Sequence, residues 1–183
     1  MHGPEEASLW VRRWSHLAPS GTPMLDVACG GGRHLRWFAA LGHPVTGVDR
    51  SPLAVQAAAA VGDALCSDIE ADPWPLVGRQ FGAVVVTNYL WRPLLPAILA
   101  SVAPGGVLIY ETFARGNETV GKPARPDFLL QPGELLSACA GLRVVAYEEG
   151  YLDMPERFVQ RIAAVRPGAD NGAVARYRLA SPH

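Results

Sequence analysis

A run of ten residues, from Met24 to Arg33, constrains the fold of this chain more than any other feature. It reads MLDVACGGGR: apolar residues around one acid lead into three consecutive glycines, and apolar residues at helical spacing follow. The pattern predicts a buried strand, a tight turn and the start of a helix. Because glycine has no Cβ and tolerates positive φ, such a turn lets the backbone approach a nucleotide-like ligand closely.

Strands and helices alternate along the chain around this turn. The patterns predict helices near residues 33–41, 53–60, 93–102 and 131–140, and seven strands at residues 25–28, 45–48, 64–66, 81–86, 107–110, 142–147 and 158–165. Residues 148–157 have no helical pattern, so the last two strands should pair antiparallel. The predicted fold is α/β, a doubly wound Rossmann-like seven-stranded sheet, mostly parallel with an antiparallel terminal hairpin.

The length of 183 residues fits one domain spanning residues 1–183. We expect an N-terminal helix within residues 1–18, starting near residues 3–6 and packing Trp10 and Trp14 on the core. The Rossmann-like core should cover residues 19–166. Residues 167–183 are expected to form a weakly ordered tail, in which residues 173–179 could add a short strand.

Charge and composition restrict the functions open to the chain. The formal net charge of −1 provides no field suited to a nucleic-acid backbone, and no apolar run approaches the ~20 residues of a membrane span. The N-terminus lacks the plan of a secretory signal, and the three cysteines lack metal-ligand spacing. We therefore expect a cytoplasmic protein, monomeric or homodimeric, with no bound metal and no nucleic-acid or membrane partner.

The glycine turn and the acid after the second strand fit two kinds of cofactor. Both nicotinamide and S-adenosylmethionine proteins combine such a turn with an acid like Asp49. The dinucleotide fingerprint needs a further glycine where this chain has Leu35. Asp26 would repel a pyrophosphate, whereas it can accept hydrogen bonds from a cationic ammonium. An oxidoreductase that binds NAD stays open as the less favoured alternative.

Five motifs in order resemble those of the class I S-adenosylmethionine-dependent methyltransferases over roughly residues 20–165. They are LDVACGGG at 25–32, GVDRS at 47–51, SDIE at 67–70, FGAVVV at 81–86 and APGGVLI at 103–109. The family's glycine turn is acid-x-Gly-x-Gly-x-Gly, and Ala28 stands at its first glycine. Alanine is the mildest replacement, and we expect the turn to survive.

The resemblance implies S-adenosyl-L-methionine as cofactor and a role for each matching residue. Asp26 would lie near the methionine end, Asp49 would bind the ribose hydroxyls, and Asp68 would accept from the adenine amine while Ile69 packs on the ring. Cys29 is expected to be a small apolar filler, and His34 to begin the helix. The expected cofactor-binding residues are Asp26, Ala28, Cys29, Gly30, Gly32, Asp49, Arg50, Asp68, Ile69 and Asn88.

Residues 110–118 and 126–135 resemble, more loosely, the small tellurite-resistance and thiol-type branch of small-molecule methyltransferases. This implies methyl transfer by in-line displacement to a small polarisable or anionic acceptor. Candidate catalytic residues are Tyr89, Asn88 and Glu111, and candidate anion-binding residues in the loop at 113–127 are Arg115, Lys122 and Arg125. The alternative is a non-catalytic S-adenosylmethionine-binding sensor or scaffold module.

Overall fold

Seven strands form one sheet in the computed structural model, which describes residues 6–169 and 174–179. They are β1 (Met24–Val27), β2 (Val45–Asp49), β3 (Asp63–Cys66), β4 (Phe81–Thr87), β5 (Val102–Phe113), β6 (Arg143–Asp153) and β7 (Glu156–Val165). Their spatial order is β3-β2-β1-β4-β5-β7-β6. All neighbours pair parallel except β7, which is antiparallel to both β5 and β6. The predicted fold class is confirmed.

Helices cover both faces of this sheet. They are α1 (Leu9–Trp14), α2 (Arg33–Ala40), α3 (Pro52–Ala58), α4 (Leu95–Ala100) and α5 (Glu134–Ala138). Trp14 and Phe38 belong to the core on the face of α1, α2 and α3, while Ile98 and Leu135 belong to the core on the face of α4 and α5. Because β4 is covered on both faces, all of its residues are buried, and all are apolar except the terminal Thr87.

The start of the predicted N-terminal helix, at residues 3–5, lies outside the described residues. Within them, α1 begins at Leu9, and the side chain of Ser8 caps it by accepting a hydrogen bond from the amide of Val11 at 3.1 Å. Trp10 and Trp14 are buried and pack edge to face, with ring centroids 5.6 Å apart. The expectation that both indoles pack on the core is confirmed.

The described part of the C-terminal tail contains no additional strand. Residues 174–179 are irregular, so the expected strand at 173–179 does not form over that part, and residues 170–173 and 180–183 lie outside the described residues. No helix within residues 6–169 and 174–179 is long and apolar enough to cross a membrane.

Two predicted helices are shorter than their patterns indicate. Residues 93–102 form a 3-10 turn, Arg92–Leu94, and then α4, because two prolines interrupt the backbone hydrogen bonding. Val102 already belongs to β5, and residues 103–106 lie between its two pairing registers with β4. The prediction for 131–140 reduces to α5, since Gly133 adopts a φ of +69° and begins the helix late.

The hairpin of β6 and β7 is longer than predicted. The expectation that residues 148–157 separate the two strands is wrong, because pairing continues to Asp153 opposite Glu156. The Arg161–Glu148 pair and the ring contact of Tyr151 with Phe158 stabilise this extension across the strands. Of the predicted loop at 113–127, Phe113 still belongs to β5, and the rest is irregular apart from two 3-10 turns, Asn117–Thr119 and Pro126–Phe128.

Candidate functional site

The glycine turn between β1 and α2 folds through alternate left-handed residues. Ala28, Gly30 and Gly32 have φ values of +56°, +52° and +79°. The turn survives the alanine at its first glycine position, although a non-glycine residue in this region costs about 1–2 kcal/mol. Gly32 is needed for a second reason, since a Cβ there would lie 3.2 Å from the Cα of Ala58 in α3.

Asp49, at the end of β2, is hydrogen-bonded to the glycine turn and to the start of α3. Its Oδ2 accepts from the amide of Gly30 at 2.8 Å, and its Oδ1 accepts from the amide of Ser51 at 2.9 Å. Each carboxylate oxygen has a second lone pair, so the side chain can still accept from two vicinal hydroxyl groups. Asp49 therefore combines a structural role with the capacity to bind a ribose.

A small cavity of about 130 Å³ lies at the ends of β2 and β3. Its lining is Ala28, Asp49, Arg50, Asp68, Ile69, Glu70 and Tyr89. Three carboxylates and the buried apolar side chain of Ile69 suit a hydroxylated, amine-bearing ring compound, and the negative charge disfavours a pyrophosphate. These features fit an adenosine group and argue against a dinucleotide.

A larger cavity of about 410 Å³ adjoins the small one and shares Ala28 and Tyr89 with it. It is lined by Ala28, Cys29, Gly30, Gly31, Arg33, His34, Arg36, Ala57, Thr87, Asn88 and Tyr89. The charged side chains among these are arginines, so the two cavities differ in electrostatic character. Asp26, Gly32 and Glu111 are the expected site residues that line neither cavity.

Asp26 lies behind the wall of the larger cavity and is 1% exposed. Its Oδ2 lies 3.3 Å from Nδ1 of His34, and Nε2 of His34 accepts a hydrogen bond from the amide of Ser8 at 3.4 Å. His34, expected only to begin α2, thus links the end of β1 to the residue that caps α1. The contact of Asp26 with a cofactor ammonium remains a prediction.

Cys29 lines the larger cavity without being a nucleophile. Burial, together with the charges of Asp26 and Asp49, raises the pKa of its thiol to about 12. The thiol therefore stays protonated at neutral pH, in keeping with the expected role of an apolar filler.

Within the described residues, no group of three or more His, Cys, Asp and Glu side chains could hold a metal ion.

Tyr89 stands where the two cavities meet. Its Oη is buried and has no hydrogen-bond partner among the described residues. Burial and the nearby carboxylate of Glu70 raise the pKa of the phenol, which therefore remains a proton donor at neutral pH. The hydroxyl lies beside the Glu70 carboxylate at the junction of the two cavities, where it can donate a hydrogen bond to a ligand.

Glu111, at the end of β5, is engaged in an ion-pair cluster. Its carboxylate is buried and lies 3.1 Å from Arg161 and 3.9 Å from Arg157. Arg161 also contacts Glu148 at 2.6 Å. This pairing favours a structural role for Glu111 over that of a free base. Asn88 contacts the same strand, because its backbone N–H donates a hydrogen bond to the backbone carbonyl of Glu111 at 2.9 Å. Asn88 itself adopts a left-handed φ of +54°.

The sheet order and the glycine turn define a Rossmann-like protein, and its acidic cavity has a lining that suits an adenosine group. A family model described as a methyltransferase domain matches residues 24–106, from β1 into β5. A search of curated proteins found no match.

Several solved structures share the fold. TehB from Haemophilus influenzae is 20% identical with a TM-score of 0.65, covering 80% of this chain and 58% of that protein. A TehB-like S-adenosylmethionine-dependent methyltransferase from Corynebacterium glutamicum is 20% identical with a TM-score of 0.61, covering 84% of each chain. The [4+2]-cyclase SpnF is 19% identical with a TM-score of 0.66, covering 88% of this chain and 79% of that one. At these identities the likeness establishes the fold alone.

The chain thus carries a segment, residues 24–106, that matches a methyltransferase-domain model, and its fold resembles that of TehB. The residues present fit the S-adenosylmethionine that the sequence motifs lead us to expect. The acidic cavity suits its adenosine, the adjoining cavity leaves room for its methionine arm, and the unpartnered hydroxyl of Tyr89 lies between them.

Proposed function

We propose that this enzyme transfers the methyl group of S-adenosylmethionine to a small-molecule acceptor by in-line displacement. The observation that carries the proposal is the junction of two cavities of opposite character at Ala28 and Tyr89. The cofactor, when bound, supplies a methyl group on a positively charged sulfur. The small acidic cavity would then hold the adenosine group, and the larger cavity, with its two arginines, would hold the methionine arm and the acceptor.

The small cavity supports the adenosine roles expected from the sequence. In this proposal Asp49 accepts from the ribose hydroxyls, Asp68 accepts from the adenine amine, and Ile69 packs on the ring. Asp68 is already oriented, because its Oδ1 accepts a hydrogen bond from the amide of Glu70 at 3.1 Å. A preorganised carboxylate binds without first losing side-chain freedom.

The larger cavity supports a small acceptor beside the methionine arm. Its volume of about 410 Å³ exceeds what the arm alone would fill, and it opens next to Asn88 and Tyr89 at the end of β4. A module that only senses S-adenosylmethionine needs no such additional space. The cavity therefore favours methyl transfer over the sensor or scaffold alternative.

The side chains at this site support catalysis by positioning. Tyr89 retains its proton at neutral pH, and Glu111 is paired with Arg161, so neither is a ready general base. A soft or already anionic nucleophile needs none. We propose that Tyr89 and Asn88 orient the reactants, which is sufficient for a displacement governed by alignment.

A methyl-transfer screen tests the proposal. The enzyme is incubated with S-adenosylmethionine and with thiols, halides, carboxylates, oxyanions or small amines, and methylated product is detected by mass spectrometry. We expect at least one class to yield product in stoichiometric amounts with S-adenosylhomocysteine, and Asp49→Ala to yield none. Tight cofactor binding with no acceptor-dependent turnover across the screen would support the sensor alternative.

A further inference from the structure

Two successive residues of β5 hold the two residues that follow β4. The backbone N–H of Asn88 donates a hydrogen bond to the carbonyl of Glu111 at 2.9 Å. The carbonyl of Tyr89 accepts one from Oη of Tyr110, also at 2.9 Å. Asn88 has a left-handed φ of +54°, a conformation that residues other than glycine seldom adopt. These two bonds therefore fix the path by which the chain leaves β4 and enters the site.

Tyr110 reaches the site through Tyr89 and not by contact with a ligand. Its side chain is 1% exposed, belongs to the core on the face of α4 and α5, and lines neither cavity. Tyr89, in contrast, lines both cavities. Burial raises the pKa of the Tyr110 phenol, so its hydroxyl keeps the proton that it donates to the carbonyl of Tyr89 at neutral pH.

The far end of the same segment is anchored to α5. The guanidinium of Arg92 donates to Oε1 of Glu134 at 2.7 Å and to Oε2 at 2.9 Å. With Asn88 held at the near end, the bond from Tyr110 is the one directed at the peptide group of Tyr89. Because a peptide group is planar and turns as a unit, loss of this donor would let the adjoining side chain shift. A shift of about 1 Å in a group that aligns reactants can cost about 100-fold in rate.

We propose that Tyr110 is a positioning residue, which orients Tyr89 toward the cofactor at the junction of the two cavities. The inference rests on the proposed function and adds to the site a residue that lies outside both cavities. Phenylalanine at this position would keep the packing of the ring and remove only the hydrogen bond to Tyr89. Tyr110→Phe therefore isolates the proposed role.

Hydrogen exchange in the ligand-free protein tests the positioning itself. Exchange is followed by mass spectrometry on peptides that span residues 87–91, and Tyr110→Phe should accelerate it at least about fivefold. The matched control is Ser101→Ala, which removes another buried hydroxyl, one that donates to the carbonyl of Ala97 at 2.9 Å before the opposite end of β5. Ser101→Ala should leave these peptides unchanged. Equal acceleration in both variants, or none in Tyr110→Phe, would overturn the proposal.

A double-mutant cycle tests whether Tyr110 acts through Tyr89. Calorimetry gives the affinity for S-adenosylhomocysteine of the wild type, Tyr110→Phe, Tyr89→Phe and the double variant. Tyr110→Phe should weaken binding about three- to tenfold, but less than about twofold where Tyr89 is already phenylalanine. An unchanged affinity in Tyr110→Phe, or losses that simply add, would overturn the proposal.

The same measurements distinguish this inference from the proposed function. Methyl transfer would be contradicted if no acceptor were turned over although the coupling between Tyr110 and Tyr89 is observed. Turnover with no effect of Tyr110→Phe on exchange or affinity would instead contradict the positioning role alone. Absence of saturable S-adenosylhomocysteine binding in the wild type would overturn both.

Discussion

The amide of Gly30 donates a hydrogen bond to Oδ2 of Asp49 at 2.8 Å, and this bond joins the glycine turn to the end of β2. The acid that the sequence assigns to the ribose therefore also fixes the conformation of the turn. Its other oxygen holds the amide of Ser51, the residue that caps α3. Binding and local folding are consequently coupled at one carboxylate.

Replacing Asp49 with alanine should destabilise the ligand-free protein. Two backbone amides would lose their acceptor, and we expect the free energy of unfolding to fall by about 1–3 kcal/mol. Urea denaturation measures this change. Asp63→Ala, which removes an exposed carboxylate at the other end of the neighbouring β3, should lie within about 0.5 kcal/mol of the wild type. Equal effects of the two substitutions would contradict the role given to Asp49.

Replacing Ala28 with glycine should stabilise the protein. Relief of the left-handed strain, about 1–2 kcal/mol, exceeds the entropy that glycine adds to the unfolded chain, so a net gain of about 0.5–1 kcal/mol is expected in chemical denaturation. Ala39→Gly in the last turn of α2 is the matched control, and its free energy of unfolding should fall by up to about 1 kcal/mol. A loss of stability in both variants would show that Ala28 is not strained.

Replacing Tyr89 with phenylalanine should separate stability from ligand binding. The hydroxyl is buried without a partner, so its removal should leave the free energy of unfolding unchanged or raise it by up to about 1 kcal/mol. If the hydroxyl bonds the ligand, the affinity for S-adenosylmethionine or the turnover should fall about three- to tenfold. A variant identical to the wild type in every ligand assay would remove Tyr89 from the site.

The pH dependence of catalysis offers a separate check on Tyr89. Burial disfavours the phenolate and raises the pKa, so the group stays neutral up to and beyond its ordinary pKa of about 10. The pH–rate profiles of the wild type and of Tyr89→Phe should therefore have the same shape between about pH 6 and pH 9. An inflection in that range that disappears in the variant would identify Tyr89 as a base and contradict this view.

Replacing Glu111 with glutamine should affect stability more than catalysis. The substitution removes a nearly buried ion pair and leaves Arg161 with one carboxylate partner, Glu148. We therefore expect the free energy of unfolding to fall by about 2–4 kcal/mol. Glu148 is more exposed than Glu111, so Glu148→Gln should lower the free energy of unfolding by less. Turnover measured well below the melting temperature should stay within about tenfold of the wild type. A loss of 100-fold or more with retained stability would indicate a general base.

The sequence predicted the sheet well because its signals are local. Apolar runs between glycines and prolines located all seven strands, and the missing helical pattern at 148–157 predicted the antiparallel end of the sheet. Strand lengths depend on partners instead. The β6–β7 hairpin continues to Asp153 because cross-strand contacts such as Arg161 with Glu148 stabilise it, and no local pattern encodes them.

The residues of the candidate site likewise fall into those that a local sequence signal predicted and those that depend on contacts between distant parts of the chain. Asp49, Asp68 and Ile69 could be located because each follows a strand, and the structure brings them to one cavity. The contact between Arg33 and Thr87 in the larger cavity, where Nη2 of Arg33 lies 3.3 Å from Oγ1 of Thr87, was not predicted, since 54 positions separate the two residues and arginine is frequent in this chain. The position of Thr87 at the end of a buried strand was the one available signal.

Calorimetric titration with S-adenosylhomocysteine tests the central claim most directly. The account predicts saturable binding to one site per chain in the wild type and in Asp63→Ala, with affinity lowered at least about tenfold in Asp49→Ala. The melting temperature of the wild type should rise with the same ligand. No heat at high ligand concentration, together with an unchanged melting temperature, would contradict the assignment of the two adjoining cavities to S-adenosylmethionine.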